Sequence, residues 1–406
     1  MAPKILLATT CRWFSTARLA LAFSRAGCVV ETVCPSAHPV SATRVVTKTY
    51  GYNGLIPLHS FRAAILASRP DLIVPSDDLT VKHLHGLYRQ ADGGGDASVL
   101  RQAIEVSLGD PAGYPITSSR DNFMAMVYAE GIRAPETKAV ASEQAVMEWV
   151  GRFGFPAVLK ADGTSGGEGV RIVRTVEEAL QAYRKLRAPV EGIVAMKRAC
   201  VDWDWNSVMP WLGQRQRAVS IQSFVDGPDA NLAVACWQGK ILSSIGVEVL
   251  ESWRPKGPAT MVRLMENEEM YRAAEKIVRR LKFSGLCGFD FLLNRGTGDA
   301  YLIEMNARAT QTCPLPLSGG RDLVASLSAM VNGWAEYRTP IDLRGDTIAL
   351  FPLAWQGDTS SQRFQTAYHD IPWEEPELVR WGMKEIKGPP HERWARLFQG
   401  MGLYQP

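Results

Sequence analysis

The sequence predicts an α/β chain, with a parallel, doubly wound sheet at its N-terminus and antiparallel hairpins with helices after it. Three observations predict this. Strand-like and helix-like patterns alternate over residues 4–78, as a parallel sheet requires. Two glycine-bearing turns, at 163–169 and 294–299, each separate a pair of apolar strand-like runs, as β-hairpins do. The chain has 406 residues, 46% apolar and 21% charged, an ordinary globular composition long enough for two or three domains.

Composition narrows the function classes. A net charge of +3 is too small to imply nucleic acid. The cysteines at 11, 28, 34, 200, 236, 287 and 313 form no CxxC pair, so neither zinc nor a disulfide framework is expected. A reducing compartment, and so the cytoplasm, fits that usage. The histidines (38, 59, 83, 85, 369, 391) show no metal-ligand spacing, and no apolar run is long enough for a membrane span.

The elements follow in order. Lys4–Ala8 reads as a strand, Cys11–Thr16 as a turn, Ala17–Arg25 as an amphipathic helix stopped at Gly27, and Cys28–Val33 as a second strand. Arg12, Arg18 and Arg25 precede the first acidic residue, Glu31, which is transit-peptide-like in composition, but the β-α-β pattern argues for structure. A helix over Phe61–Ser68 precedes a buried strand, Asp71–Pro75, and then Ser76-Asp77-Asp78. Turns at the carboxyl ends of such strands, here Thr9–Ser15 and Ser76–Asp78, face a ligand or cap helices. Residues 91–97 (ADGGGDA) read as a mobile loop, and Pro111, Gly113 and Pro115 mark a boundary. Ser118–Asp121 caps a helix running to Ala129. Helices over Ser142–Phe153, Val176–Arg187 and Glu266–Leu281 are expected, with strands over Ala218–Val225, Asn231–Trp237, Lys240–Val249 and Thr347–Ala354. Trp203, Trp205 and Trp211, with Arg215 and Arg217, form a segment that either faces substrate or packs its rings inside. The aromatic segment from Arg380 to Phe398 has helical character and reads as packed on the body rather than as a partner-binding appendage.

Two stretches carry chemistry. In Gly285–Arg308, Asp290 interrupts an apolar strand, and Glu304, Asn306 and Arg308 fall two apart on the next. Residues two apart share a strand face, so two carboxylates and an amide oxygen can converge as hard ligands for Mg²⁺ beside a phosphate-binding arginine. The competing reading is an edge hairpin with one polar face. In Phe155–Val173 a strand ends on Lys160, and four glycines among the seven residues 163–169 expose backbone N–H groups that phosphate oxygens can approach. No Gly-Lys-Ser/Thr follows, so this is not a P-loop. A flexible hairpin tip is the alternative.

The ordered series of a basic residue, a strand lysine with a glycine loop, a strand ending in a hinge, and an acidic strand followed by Glu-x-Asn-x-Arg resembles the ATP-grasp superfamily over roughly residues 1–330. FPAVLKADGTSGGEGVRIV is similar to its glycine-loop hairpin, and GFDFLL…YLIEMNAR to its metal-binding hairpin. The resemblance implies an N-terminal α/β domain over 1–115, an ATP-grasp domain over 116–330 with a lid at about 134–225, and a 331–406 extension. It implies ATP and one or two Mg²⁺, or Mn²⁺ in its place. Asp290, Glu304 and Asn306 then match the metal ligands. Lys160 matches the α/β-phosphate lysine, and Arg120 stands where a lysine is usual. Gly163, Thr164, Ser165, Gly166 and Gly167 match the closing loop. Gln222, Ser223, Phe224 and Val225 match the hinge, with Ser223 and Val225 backbone groups on the adenine edge and Gln222 in place of a glutamate. Asp229 stands near a ribose contact, Arg254 and Lys256 near the γ-phosphate, and Arg308 beside the reacting group.

The implied activity is that of a carboxylate–amine ligase acting on small molecules, in a chain compatible with a homodimer. Phosphorylation of a carboxylate makes an acyl phosphate, so no protein nucleophile is needed. Biotin-carboxylase-like carboxylation is an alternative, although Arg308 is followed by Ala-Thr-Gln-Thr-Cys-Pro rather than by a Glu-His pair, and no biotin-carrier lysine motif is present. A kinase-like or nucleotide-binding regulator is another, and the intact Asp290, Glu304, Asn306 set argues against it.

Overall fold

A computed structural model describes residues 2–162, 169–188, 216–333, 341, 343 and 345–386. Its first sheet is parallel: β1 (Lys4–Ala8), β2 (Val29–Cys34), β3 (Val46–Gly51) and β4 (Leu72–Pro75), in the order β3-β2-β1-β4. Ile5, Leu6 and Leu7 are fully buried, as a central strand covered on both faces must be. Strand order reverses between β1 and β4, so Thr9–Cys11 and Ser76–Asp78 meet at a switch point, where such sheets bind ligands. Asp77 is committed there to structure. Its carboxylate accepts from Thr10 N at 2.7 Å and from Thr80 N at 2.8 Å, capping helix Asp78–Gln90.

Some local expectations shift. The first helix begins at Phe14 rather than Ala17, because nothing in residues 14–16 breaks a helix. The 91–97 loop gives way at Asp96 to a helix, Asp96–Leu108, that the glycine run conceals. The edge strand β3 was unforeseen, since its polar residues face solvent.

The second sheet holds β5 (Thr137–Val140), β6 (Ala157–Ala161), β7 (Val170–Val173) and β8 (Val219–Ser223), in the antiparallel order β5-β8-β6-β7. Helices Glu143–Phe153 and Val176–Arg187 cover one face, burying Val146, Trp149, Tyr183 and Leu186 against Leu159 and Ile221. Ser142 and Thr175 cap them. The loop residues Gly163, Thr164, Ser165, Gly166 and Gly167 lie outside the described residues, as do Trp203, Trp205, Trp211 and Arg215.

The third sheet contains β9 (Asp229–Trp237), β10 (Lys240–Ser252), β11 (Ala259–Leu264), β12 (Gly285–Leu293), β13 (Ala300–Asn306), β14 (Thr347–Ala349) and β15 (Tyr368–His369). Their order is β13-β12-β9-β10-β11-β14-β15, antiparallel except for the parallel pair β14-β15. Helix Glu268–Leu281 buries Met270, Ile277 and Val278 on one face against Val234 and Phe289. On the other face Ala233, Ile245 and Leu286 share a core with Ile5, Leu7, Phe23 and Leu323, which joins this sheet to the first.

The 331–406 segment supplies β14 and β15. The strand expected over Thr347–Ala354 stops at Ala349, and a 3-10 turn, Leu353–Gln356, follows. Of the aromatic C-terminal segment, helix Pro376–Ile386 is described, and it packs Leu378 and Trp381 against Phe14 and Phe351. Arg18 pairs with Asp370, and Arg25 with Glu374, so the N-terminal arginines anchor this segment. Among the described residues no helix is long and apolar enough to cross a membrane.

Candidate nucleotide and metal site

Strand register brings the polar side chains together. Asp290 on β12 lies opposite Glu304 on β13 and Asn231 on β9, while Gly288 lies opposite Asn306. All four polar groups therefore share one sheet face. Asp290 Oδ1 accepts from Asn231 Nδ2 at 2.6 Å, and its Oδ2 accepts from Asn306 Nδ2 at 3.1 Å. Gly288 makes room below them. A Cβ there would stand 2.4 Å from Thr310 Cγ2.

Cations close the site from two sides. Arg120, first residue of the helix capped by Ser119, donates from Nη2 to Glu304 Oε2 at 3.1 Å and lies 3.7 Å from Asp162 Oδ1. Lys160, on β6, is only 7% exposed. Burial, then the nearby Arg120 charge, pushes its pKa down to about 8, with Glu304 and Asp290 opposing. Burial, then the facing Glu304 carboxylate, raises Asp290 to about 7, against the bonds from Asn306 and Asn231.

Arg308 joins the hairpin to the first sheet. Its Nε donates to Asp78 Oδ1 at 3.0 Å and its Nη2 to Asn306 Oδ1 at 3.1 Å, while Ala309 N donates to Pro75 O at 3.0 Å. Burial opposes the guanidinium charge, but Asp78, Asp77 and Asp290 outweigh it and raise its pKa.

These groups line one cavity of about 320 Å³ whose walls come from the second and third sheets and from Trp13 and Asp78 beyond the ends of β1 and β4, at the lower end of the ~300–1,000 Å³ of ligand pockets. Lys160, Arg120, Asp290, Glu304, Asn306, Arg308, Gln222, Ser223, Phe224, Val225 and Asp229 all reach it. One expectation changes. Arg254 does not line this cavity. Its guanidinium lies 5.1 Å from the Trp253 ring, whereas Lys256 lines the cavity and donates to Asp229 Oδ1 at 3.0 Å. The cause is local: Gly257 N closes on Arg254 O at 2.8 Å with Lys256 at φ 60°, so neighbouring side chains diverge. At the hinge, the Ser223 N–H is donated to Glu136 O at 2.9 Å.

Sequence reasoning missed Asn231, whose signal was a lone amide ahead of the apolar run Leu232–Cys236, and Asp162. Asp78, in a turn expected to face a ligand or cap a helix, lines the cavity beside Arg308. Among the described residues no three His, Cys, Asp or Glu side chains group to cage a metal. Two like-charged carboxylates facing each other beside an amide instead fit a hard divalent cation that shares its shell with phosphate oxygens.

The family model for the ATP-binding domain of the carbamoyl-phosphate synthase L chain matches residues 119–203 and 216–332. The carbamoyl phosphate synthase large chain of Methanothermobacter thermautotrophicus is 24% identical over 213 residues, which is 52% of this chain and 19% of that protein. The chain thus spans about a fifth of the length of that curated relative. Among solved structures, the biotin carboxylase domain of Hydrogenobacter thermophilus 2-oxoglutarate carboxylase, in complex with MgADP, ADP and bicarbonate, superposes with a TM-score of 0.59 at 15% identity, covering 84% of this chain and 72% of that one. The carboxyaminoimidazole ribonucleotide synthase of Aspergillus clavatus, complexed with ATP, gives a TM-score of 0.58 at 12% identity over 80% of this chain and 77% of its own.

Proposed function

The chain belongs to the ATP-grasp superfamily, and from that premise we propose that it is an ADP-forming ligase that activates a carboxylate with Mg-ATP and joins it to an amine. One observation carries this reading: Asp290 and Glu304 face each other in register, in the same cavity as Lys160, Arg120 and Arg308. That set suits a triphosphate whose γ-phosphoryl is to be transferred.

Asp290, Glu304 and Asn306 would hold one or two Mg²⁺, or Mn²⁺ in its place, and the metal would supply neutralisation of phosphate charge. Lys160 and Arg120 hold the α- and β-phosphates. The hinge Gln222–Val225 seats the adenine and Asp229 the ribose. Of the two cations expected near the γ-phosphate, Lys256 rather than Arg254 takes that contact. A substrate carboxylate oxygen attacks the γ-phosphorus, the bond to ADP breaks, and Arg308 offsets the growing anionic charge. The amine lone pair then attacks the acyl carbon, phosphate leaves with the acyl C–O electron pair, and the nitrogen loses a proton. We place the protein in the cytoplasm, acting on small molecules rather than nucleic acid, with a homodimer as the assembly to test by light scattering.

The test is phosphate release from Mg-ATP with pooled carboxylates and amines. Release that needs both substrates, and falls on the order of a hundredfold or more in Glu304→Gln, supports the ligase. Release that needs bicarbonate instead points to carboxylation. Nucleotide binding without any turnover points to a regulator.

A further inference from the structure

A second cavity, of about 250 Å³, adjoins the first. Trp13, Pro258, Gln311 and Leu350 line both, so the two chambers share a rim. The second is built from the turn after β1, the ends of β10 and β11, and the stretch after β14. Its chemistry differs from the first. Phe14 is 8% and Phe351 6% exposed, their rings meeting edge to face at 5.3 Å, with Leu353 and Trp253 beside them. Its charged groups are Arg12, Arg18 and Asp370.

Those charges are held in place. Arg12 donates Nε to Ser36 O at 2.9 Å. Arg18 pairs with Asp370, yet its buried Nε has no partner. A buried donor without an acceptor is costly, and a ligand acceptor relieves that cost. Two guanidiniums against one carboxylate favour an anionic ligand over a cationic one. Aromatic walls favour an apolar body over a hydrated one. The volume, below the ~300 Å³ at which drug-sized sites begin, limits that body to about the size of an amino acid.

We propose that this chamber is the acyl-substrate site, and that it selects small carboxylates with an aliphatic or aromatic body, such as apolar amino acids. The proposal rests on the ligase reading above. The apolar body lies against Phe14, Phe351 and Leu353. The reacting carboxylate sits at the shared rim of Trp13 and Gln311, on the side of the first cavity that Arg308 lines. A cationic side chain is disfavoured, because its charge would be buried against aromatic rings beside Arg12 and Arg18. The C-terminal segment thereby acquires a role, since Phe351, Leu353 and Asp370 all come from it.

The test titrates the full-length protein, loaded with Mg²⁺ and a non-hydrolysable ATP analogue, with leucine, phenylalanine and lysine, reading tryptophan fluorescence from the chamber wall. Leucine or phenylalanine is expected to bind at least about tenfold more tightly than lysine, the discrimination a hydrophobic pocket supplies. Leu353→Trp, which fills the chamber, is expected to weaken that binding by about tenfold or more while leaving nucleotide affinity within about twofold. Lysine binding as tightly as leucine or phenylalanine, binding of none of them, or indifference to Leu353→Trp overturns the proposal while leaving the ligase reading intact. Failure to bind nucleotide overturns the ligase reading; the same titration without the analogue still reports what the chamber selects.

Discussion

Replacing Lys160 by methionine is expected to stabilise the ligand-free protein while removing its ATP turnover. Lys160 is 7% exposed on β6, and burial together with Arg120 lowers its pKa from 10.5 to about 8. That displacement corresponds to about 3 kcal/mol, at ~1.4 kcal/mol per pKa unit, which the folded protein forgoes to keep the charge in the site. Methionine keeps most of the aliphatic stem and carries no charge. The penalty is complete below pH 8, where Lys160 is protonated in both states. Between pH 8 and 10.5 the unfolded chain binds more protons, so wild-type stability rises with pH and the penalty fades. Urea unfolding at pH 7 should thus place Lys160→Met above wild type by up to about 3 kcal/mol with an unchanged m-value, and the gap should close by about pH 10.5. Turnover of ATP in the variant should fall on the order of a hundredfold or more, since a preorganised phosphate contact is gone. A variant less stable than wild type at pH 7, or a gap that ignores pH, would refute the reasoning. Either result would mean that the Glu304 and Asp290 carboxylates already neutralise the ammonium.

Two further outcomes test the hairpin. Asn231→Ala removes the 2.6 Å bond that orients Asp290, so the Mg²⁺ concentration for half-maximal turnover should rise about 10- to 100-fold, with kcat at saturating Mg²⁺ changed only a few-fold; an unaltered Mg²⁺ titration excludes a positioning role. Gly288→Ala sets a Cβ 2.4 Å from Thr310 Cγ2 and should cost roughly 1–3 kcal/mol by thermal denaturation, recovered in good part by adding Thr310→Ser, which deletes that methyl. A double variant as unstable as the single one would show that the strain lies elsewhere.

Much of this architecture could be read from the chain because its signals are local. Helix Val176–Arg187 falls within its expected bounds, since Thr175 caps it and Ala188 ends it. The β12–β13 hairpin and its polar face followed from period-2 alternation, and the structure puts Asp290 opposite Glu304. Lys160 at the end of a strand beside a glycine run needed no tertiary information either. Short-range periodicity, caps and turn chemistry act over a few residues, and sequence displays them directly.

Partnership across distant segments had no such signal. Arg308 meets Asp78 across 230 positions, and Arg18 meets Asp370 across 352, pairings fixed only when the sheets share a core. The Ser223 N–H is taken by Glu136 O, because the pairing of β5 with β8 decides which backbone donors remain. Arg254 and Lys256 are alike in sequence, and only the turn around a left-handed Lys256 sends one to the cavity and the other onto Trp253. The sequence by itself determined which residue types and local elements this protein has for gripping a nucleotide. The tertiary structure decided which of those groups converge, and that the stretches following β14 and β15 wall a second chamber, because convergence depends on which buried faces pack together and not on spacing along the chain.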